Sequence, residues 1–99
     1  MKISISNSAF NDLENIKEYY EEEKIPQIGK QFVNSIINHI QTLNDNPDKG
    51  RIVPEFGVST IRELIHSPFR IVYLRDHNSI HVIRVWRCER LLVLPESEI

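Results

Sequence analysis

The sequence predicts an α+β domain of order βααβββ, with an N-terminal strand and an αα-hairpin packed on one face of a small antiparallel sheet. Three observations predict it. Apolar residues recur at helical spacing through residues 8–45, β-branched and aromatic runs take over from residue 60, and a stretch rich in Pro and Gly separates them. Helical and strand patterns segregated in this way define the class.

The elements follow in order. Lys2 to Ile5 is a short β-prone run with Ile3 and Ile5 on one face. Ser8 is placed to cap a helix over Ala9 to Glu23. Its apolar stripe is Phe10, Leu13, Ile16 and Tyr20, and its polar side carries Asp12, Glu14, Lys17, Glu18 and Glu21. Glu21, Glu22 and Glu23 oppose the dipole where that helix ends, as a solvated helix end can. Pro26 suits the first turn of a second helix. Ile28, Phe32, Ile36, Ile40 and Leu43 form its stripe, widened by Val33 and Ile37, and Asn44-Asp45-Asn46-Pro47 stops it. A hairpin with two apolar faces needs something to pack on.

Residues 47–58, with Pro47, Gly50, Pro54 and Gly57, read as a loop. Thr60 to Ile65, Phe69 to Arg75 and Ser79 to Trp86 read as three antiparallel strands in meander order, divided by Ser67-Pro68 and Asp76-His77-Asn78. The N-terminal strand is available to join an edge. In the middle strand Phe69, Ile71 and Tyr73 alternate with Arg70, Val72 and Leu74. In the last, His81, Ile83, Val85 and Arg87 alternate with Ile80, Val82, Arg84 and Trp86. Both faces are half apolar, so the pattern does not name the side that meets the helices. A second, partly apolar face invites a partner.

Composition narrows the class. The 99 residues fit one domain spanning 1–99, and 40% hydrophobic with 26% charged residues is ordinary globular usage. Cys88 is the sole cysteine, so an internal disulfide framework is excluded. No run approaches the ~20 apolar residues of a membrane span, and MKISISNS has no apolar core of a secretory signal. The expectation is a cytoplasmic protein without membrane contact. The net charge of -2 hides an asymmetry. Residues 1–50 hold five Lys, no Arg and eight acids; residues 51–99 hold seven Arg, no Lys and six acids. Arg suits bidentate recognition of carboxylate or phosphate. The seven either line one positive working face or occupy ordinary solvated strand positions.

No metal site is expected. His39, His66, His77 and His81 include no i, i+4 pair, and a meeting of His66 with His81 across strands lacks a third ligand. No cofactor is expected either, because three glycines and no P-loop give no phosphate cradle. Cys88, between Arg87 and Glu89, has no positioned histidine base and reads as an incidental thiol. What remains is Arg70, Arg84, Arg87 and Arg90 with Trp86. Arg beside Trp binds phosphate and bases, or anchors a protein interface; alternatively Trp86 is core and the arginines are rim.

The stretch IRELIHSPFRIVYLRDHNSIHVIRVWRCERLL resembles the signature region of the RelE/ParE toxin superfamily of type II toxin–antitoxin systems. The matching pieces are Ile61-Arg62-Glu63-Leu64, Phe69-Arg70-Ile71-Val72-Tyr73, the tight turn, and the basic end Trp86-Arg87-Cys88-Glu89-Arg90. The first strand, Ser8-Ala9 before Asp12-Leu13, and the long second helix ending at Asn46-Pro47 fit as well, so the resemblance covers nearly the whole chain. It implies a toxin held inactive in a hetero-oligomer with a cognate antitoxin. It also implies one of two activities: ribosome-dependent mRNA cleavage, as in RelE-like members, or inhibition of DNA gyrase, as in ParE-like plasmid-stabilisation toxins.

The residues help to choose. Arg70 matches the strand arginine that contacts the scissile phosphate in RelE-like nucleases. Their lysines fall near Ile61 and Glu63, their C-terminal arginine at Cys88, one position from Arg87, and their tyrosine near Leu94. RNA cleavage needs a proton acceptor, a donor and cations for the developing charge, and Arg stays protonated. Tyr73 alternates to the side opposite Arg70, and a net charge of -2 ill suits a phosphate-rich site. The expectation is therefore a ParE-like toxin, more a binding protein than an enzyme. Its target- or antitoxin-binding residues are expected at Arg70, Val72, Leu74, Val82, Arg84, Trp86, Arg87 and Arg90. One alternative is a RelE-like endoribonuclease using Arg70, Arg84 and Arg87 with His66 or His81 as improvised base. The other is a non-toxic member that only binds its antitoxin.

Overall fold

The computed structural model describes residues 1–88. The chain runs β1 (Lys2–Ile5), α1 (Asn7–Glu22), α2 (Pro26–Gln41), a 3-10 turn (Thr42–Asn44), β2 (Arg51–Ile52), β3 (Ile61–His66), β4 (Phe69–Arg75) and β5 (Ser79–Arg87). The α+β fold is as expected. The sheet has five strands in the order β1-β5-β4-β3-β2. It is mixed rather than antiparallel throughout, because β1 pairs parallel with β5, Ile3 opposite Ile80. The expected loop at 47–58 also contains a strand: Arg51 and Ile52 pair with Glu63 and Arg62. Two residues are too few to give an alternating pattern, so the sequence hides β2.

The cap of α1 is Ser6, not Ser8. Its Oγ accepts from Ala9 N at 3.0 Å and donates to Ile83 O at 3.0 Å. One hydroxyl thus caps the helix and ties it to β5. The buried stripe of α1 is Ala9, Leu13 and Ile16, with Tyr20 half-buried, while Phe10 is 56% exposed. Spacings of four, three and four follow 3.6 residues per turn more closely than a stripe through Phe10. Beyond α1, Lys24 adopts φ 66°, and Ile25 N returns to Tyr20 O at 2.9 Å. This left-handed residue ends the helix as glycine usually does. Gly29 lets α2 approach closely, since a Cβ there would lie 3.1 Å from Tyr20 Cβ.

Ile36, Ile40 and Leu43 join the α1 stripe over Leu64, Phe69, Ile71, Tyr73, Ile80, Val82 and Val85. The helix-facing side of β4 is therefore Phe69, Ile71 and Tyr73. Tyr20, Phe32 and Phe69 stack in series, with centroids 5.6 and 5.2 Å apart, and link α1, α2 and β4.

A bulge sits between Val72 and Tyr73: Val72 pairs with Arg84, but Tyr73 pairs with Val82. Ile83 is the extra residue, and it inverts the alternation of β5. Val82 and Ile80 therefore point into the core beside Tyr73, and Val85 does so beside Ile71. Val82 is fully buried and cannot belong to the working face expected of it.

Candidate functional site

The hairpin register places Glu63 opposite Val72 and Ile65 opposite Arg70, so Glu63 and Arg70 are diagonal neighbours on the face away from the helices. Both are buried, the Arg70 side chain at 7% exposure and the Glu63 side chain at 0%. The Glu63 carboxylate contacts Arg70 Nη2 through Oε1 and takes Arg51 Nε at 2.6 Å through Oε2. Arg70 also meets Glu55, from the loop after β2, at 3.2 Å. Arg51, Glu63, Arg70 and Glu55 thus form a four-membered ionic chain. Such burial is tolerated because each charge is matched. The Arg70 guanidinium, aligned with a phosphate-binding arginine, is occupied by two carboxylates.

Tyr73 is equally committed. Its hydroxyl donates to Pro47 O at 2.9 Å and accepts from Gly50 N at 3.0 Å, and burial pushes its pKa up. A Cβ on Gly50 would lie 2.6 Å from that hydroxyl oxygen, so only glycine fits. The two histidines considered as bases lie elsewhere. His66 contacts α2 on the opposite side of the sheet from Arg70, and His81 Nδ1 bonds Ser4 Oγ at 2.6 Å near β1. His66 and His81 do not meet.

The other arginines gather at a second place. The last pairing of β1 with β5 is Ile5 with Val82. Beyond it β5 presents an open edge, and Asp12 of α1 closes it. Its carboxylate accepts from Val85 N at 2.8 Å and from Arg84 at 2.8 and 2.9 Å in a bidentate pair. Those hydrogen bonds raise the Arg84 pKa and hold its charge. Arg84 lies 4.9 Å over the Trp86 ring and Arg87 5.5 Å over Phe69.

Between α1 and the end of β5 lies a groove of about 410 Å³, lined by Asp12, Asn15, Ile16, Tyr19, Tyr20, Phe69, Val85, Trp86 and Arg87. Arg84, Trp86 and Arg87 therefore come together; Arg70 lies directly opposite Trp86 in the β4–β5 ladder, but its guanidinium is held by Glu63 and Glu55 and does not line the groove. Val72 is 2% exposed and Leu74 37%, so of these two only Leu74 offers surface. Arg90 lies outside the described residues. Asp12 and Tyr19 of the groove, and Glu55 and Glu63 of the ionic chain, were not expected. Glu63 leaves a trace, because counting back from the Ser67-Pro68 turn puts it diagonal to Arg70.

This fold and groove define a small α+β domain with an arginine-edged cleft between its first helix and last described strand. A model of the ParE toxin of the type II toxin–antitoxin system, parDE, matches residues 3–92, and the chain belongs to that family. Solved structures agree in fold. The chromosomal ParDE toxin–antitoxin system from P. aeruginosa aligns at TM-score 0.74 and 22% identity, over 88% of this chain and 95% of that one. The YoeB dimer from Staphylococcus aureus aligns at 0.59 and 20%, over 87% and 94%. A YoeB/ParE toxin from Agrobacterium tumefaciens aligns at 0.58 and 17%, over 88% and 98%. No curated protein sequence matches the chain. Among the described residues no helix is long and apolar enough to cross a membrane.

Proposed function

We propose that this protein is a cytoplasmic, ParE-like toxin that inhibits DNA gyrase by binding and is neutralised by a cognate antitoxin. One observation carries the choice of activity: Arg70 is buried and ion-paired to Glu63 and Glu55. An arginine held by two carboxylates is not available to a scissile phosphate. Tyr73, with its hydroxyl committed and its pKa raised, does not serve as a base at neutral pH.

The groove supports the binding half of the reading. Tyr19, Tyr20, Trp86 and Arg87 are of the residue types that dominate protein interfaces. The antitoxin segment that meets Arg84 and Arg87 is acidic on this reading. The test is inducible expression with paired assays, a DNA-damage reporter beside primer extension on messages, and gyrase supercoiling measured with purified protein. DNA damage and blocked supercoiling with intact messages support the proposal. Codon-positioned cuts in messages replace it with the endoribonuclease reading. Normal growth without antitoxin leaves a member that only binds its antitoxin.

A further inference from the structure

His39, in the last turn of α2, and His66, the last residue of β3, meet with Nδ1 to Nδ1 at 2.8 Å and ring centroids 5.0 Å apart. The surrounding bonds assign the hydrogens. Ser35 Oγ donates to Phe32 O at 3.0 Å, so it accepts from His66 Nε2–H at 3.0 Å. A neutral His66 then carries a lone pair on Nδ1. The hydrogen between the rings therefore belongs to His39 Nδ1, and His39 Nε2 is bare.

We propose that His39 and His66 chelate a divalent cation of the imidazole-preferring class, such as Zn²⁺, through their two Nδ1 atoms. A tetrahedral ion with Zn–N of about 2.0–2.1 Å holds two such nitrogens about 3.3–3.4 Å apart. The pair must open by only about half an ångström while the rings turn. The rest of the arrangement is in place. His66 donates its other ring N–H to Ser35, the outer contact that orients metal-bound imidazoles. Burial lowers the pKa of both rings, and the neighbouring His66 and Lys49 lower that of His39 further, which favours the neutral form that carries a lone pair.

Protons balance. His39 loses hydrogen from Nδ1 and gains one on Nε2 from water, a change of tautomer without net release. Among the described residues no group of three His, Cys, Asp or Glu gathers, and water fills the other positions on this proposal. Lys49 opposes the cation through its charge on His39, but its ammonium is held by Thr42 Oγ1 at 3.2 Å. A bound ion would link α2 to β3 directly.

Isothermal titration of the full chain with ZnCl₂ at pH 7.5 tests the site. One ion binds per chain, and His39→Gln or His66→Gln weakens binding at least tenfold. His77→Gln and Cys88→Ser leave it unchanged, which separates the pair from an exposed imidazole and from the thiol. Unchanged binding in both pair variants, or no saturable binding by the parent chain, overturns the proposal. Imidazole ¹⁵N spectra of the parent chain give a reading independent of variant folding. Zinc moves both Nδ1 resonances and transfers the His39 hydrogen to Nε2; unmoved resonances refute the site.

Discussion

Glu63→Gln keeps the shape of the buried side chain and removes its charge. Arg51 is 61% exposed at its side chain, so its pairing with Glu63 contributes about 0.2–1 kcal/mol. Arg70 is different. It is 7% exposed and retains only Glu55, which is 46% exposed, at 3.2 Å. Breaking a buried pair from one side costs about 3–5 kcal/mol, and the residual Glu55 contact puts the loss near the lower end, about 3 kcal/mol. For a domain of this size that lowers Tm by about 12–24 °C. Arg70→Met leaves Glu63 with Arg51 alone and costs a similar amount. The double variant Glu63→Leu with Arg70→Met removes both charges and is expected to be more stable than either single one, because no unmatched charge remains. Urea unfolding followed by circular dichroism measures all three, with a constant slope confirming two-state behaviour. Single losses under about 1 kcal/mol, or a double variant equal to their sum, would falsify the buried ionic chain. If the reasoning holds, Arg70 variants lose toxicity only as far as they lose folded protein.

Tyr73→Phe strands the buried Gly50 N–H and is expected to cost about 1–3 kcal/mol in the same unfolding assay, with the fold retained. Asp12→Ala opens the β5 edge by removing the acceptor of Val85 N, and amide hydrogen exchange at Val85 should accelerate while that at Ile71 does not. Lys24→Gly relieves a left-handed lysine and should raise stability by about 0.5–1 kcal/mol; a loss would mean that the side chain matters more than its backbone. His39 and His66 have folded pKa values below the ordinary 6.5, so the unfolded chain binds protons more readily. Their contribution is complete above pH 6.5 and is lost as pH falls from there through the lowered folded values. A Tm series from pH 8 to pH 5 should fall in that window, and His66→Gln should flatten it.

The elements were legible where a period was long enough to repeat. The stripe Phe32, Ile36, Ile40 marked α2, and the runs from Phe69 and Ser79 marked β4 and β5 with their starts correct. Two local features misled. Ser6 and Ser8 are equivalent as caps by sequence, and the second bond of Ser6 to Ile83, 77 positions away, decides between them. The bulge at Ile83 is invisible to alternation and moved Val82 from the working face into the core. The site was less legible, because its parts are distant in sequence. Asp12 and Arg84, or His39 and His66, have no local spacing that announces a contact. Arg70 was found in the arginine constellation of the second half and matched by resemblance, but its burial depends on Glu63 and on the Glu55 loop.

The parallel pairing of β1 with β5 has a consequence for the time at which this protein becomes competent during its synthesis. Ile3 waits for Ile80, 77 residues later, about 4–15 s at about 5–20 residues per second. The groove has the same dependence, since Asp12 and Tyr19 come from the first helix and Trp86 and Arg87 from the end of the last described strand. No nascent fragment short of β5 carries both walls. A ribosome has therefore built the chain as far as Arg87 before the groove exists, and any partner that recognises both walls meets no shorter nascent fragment.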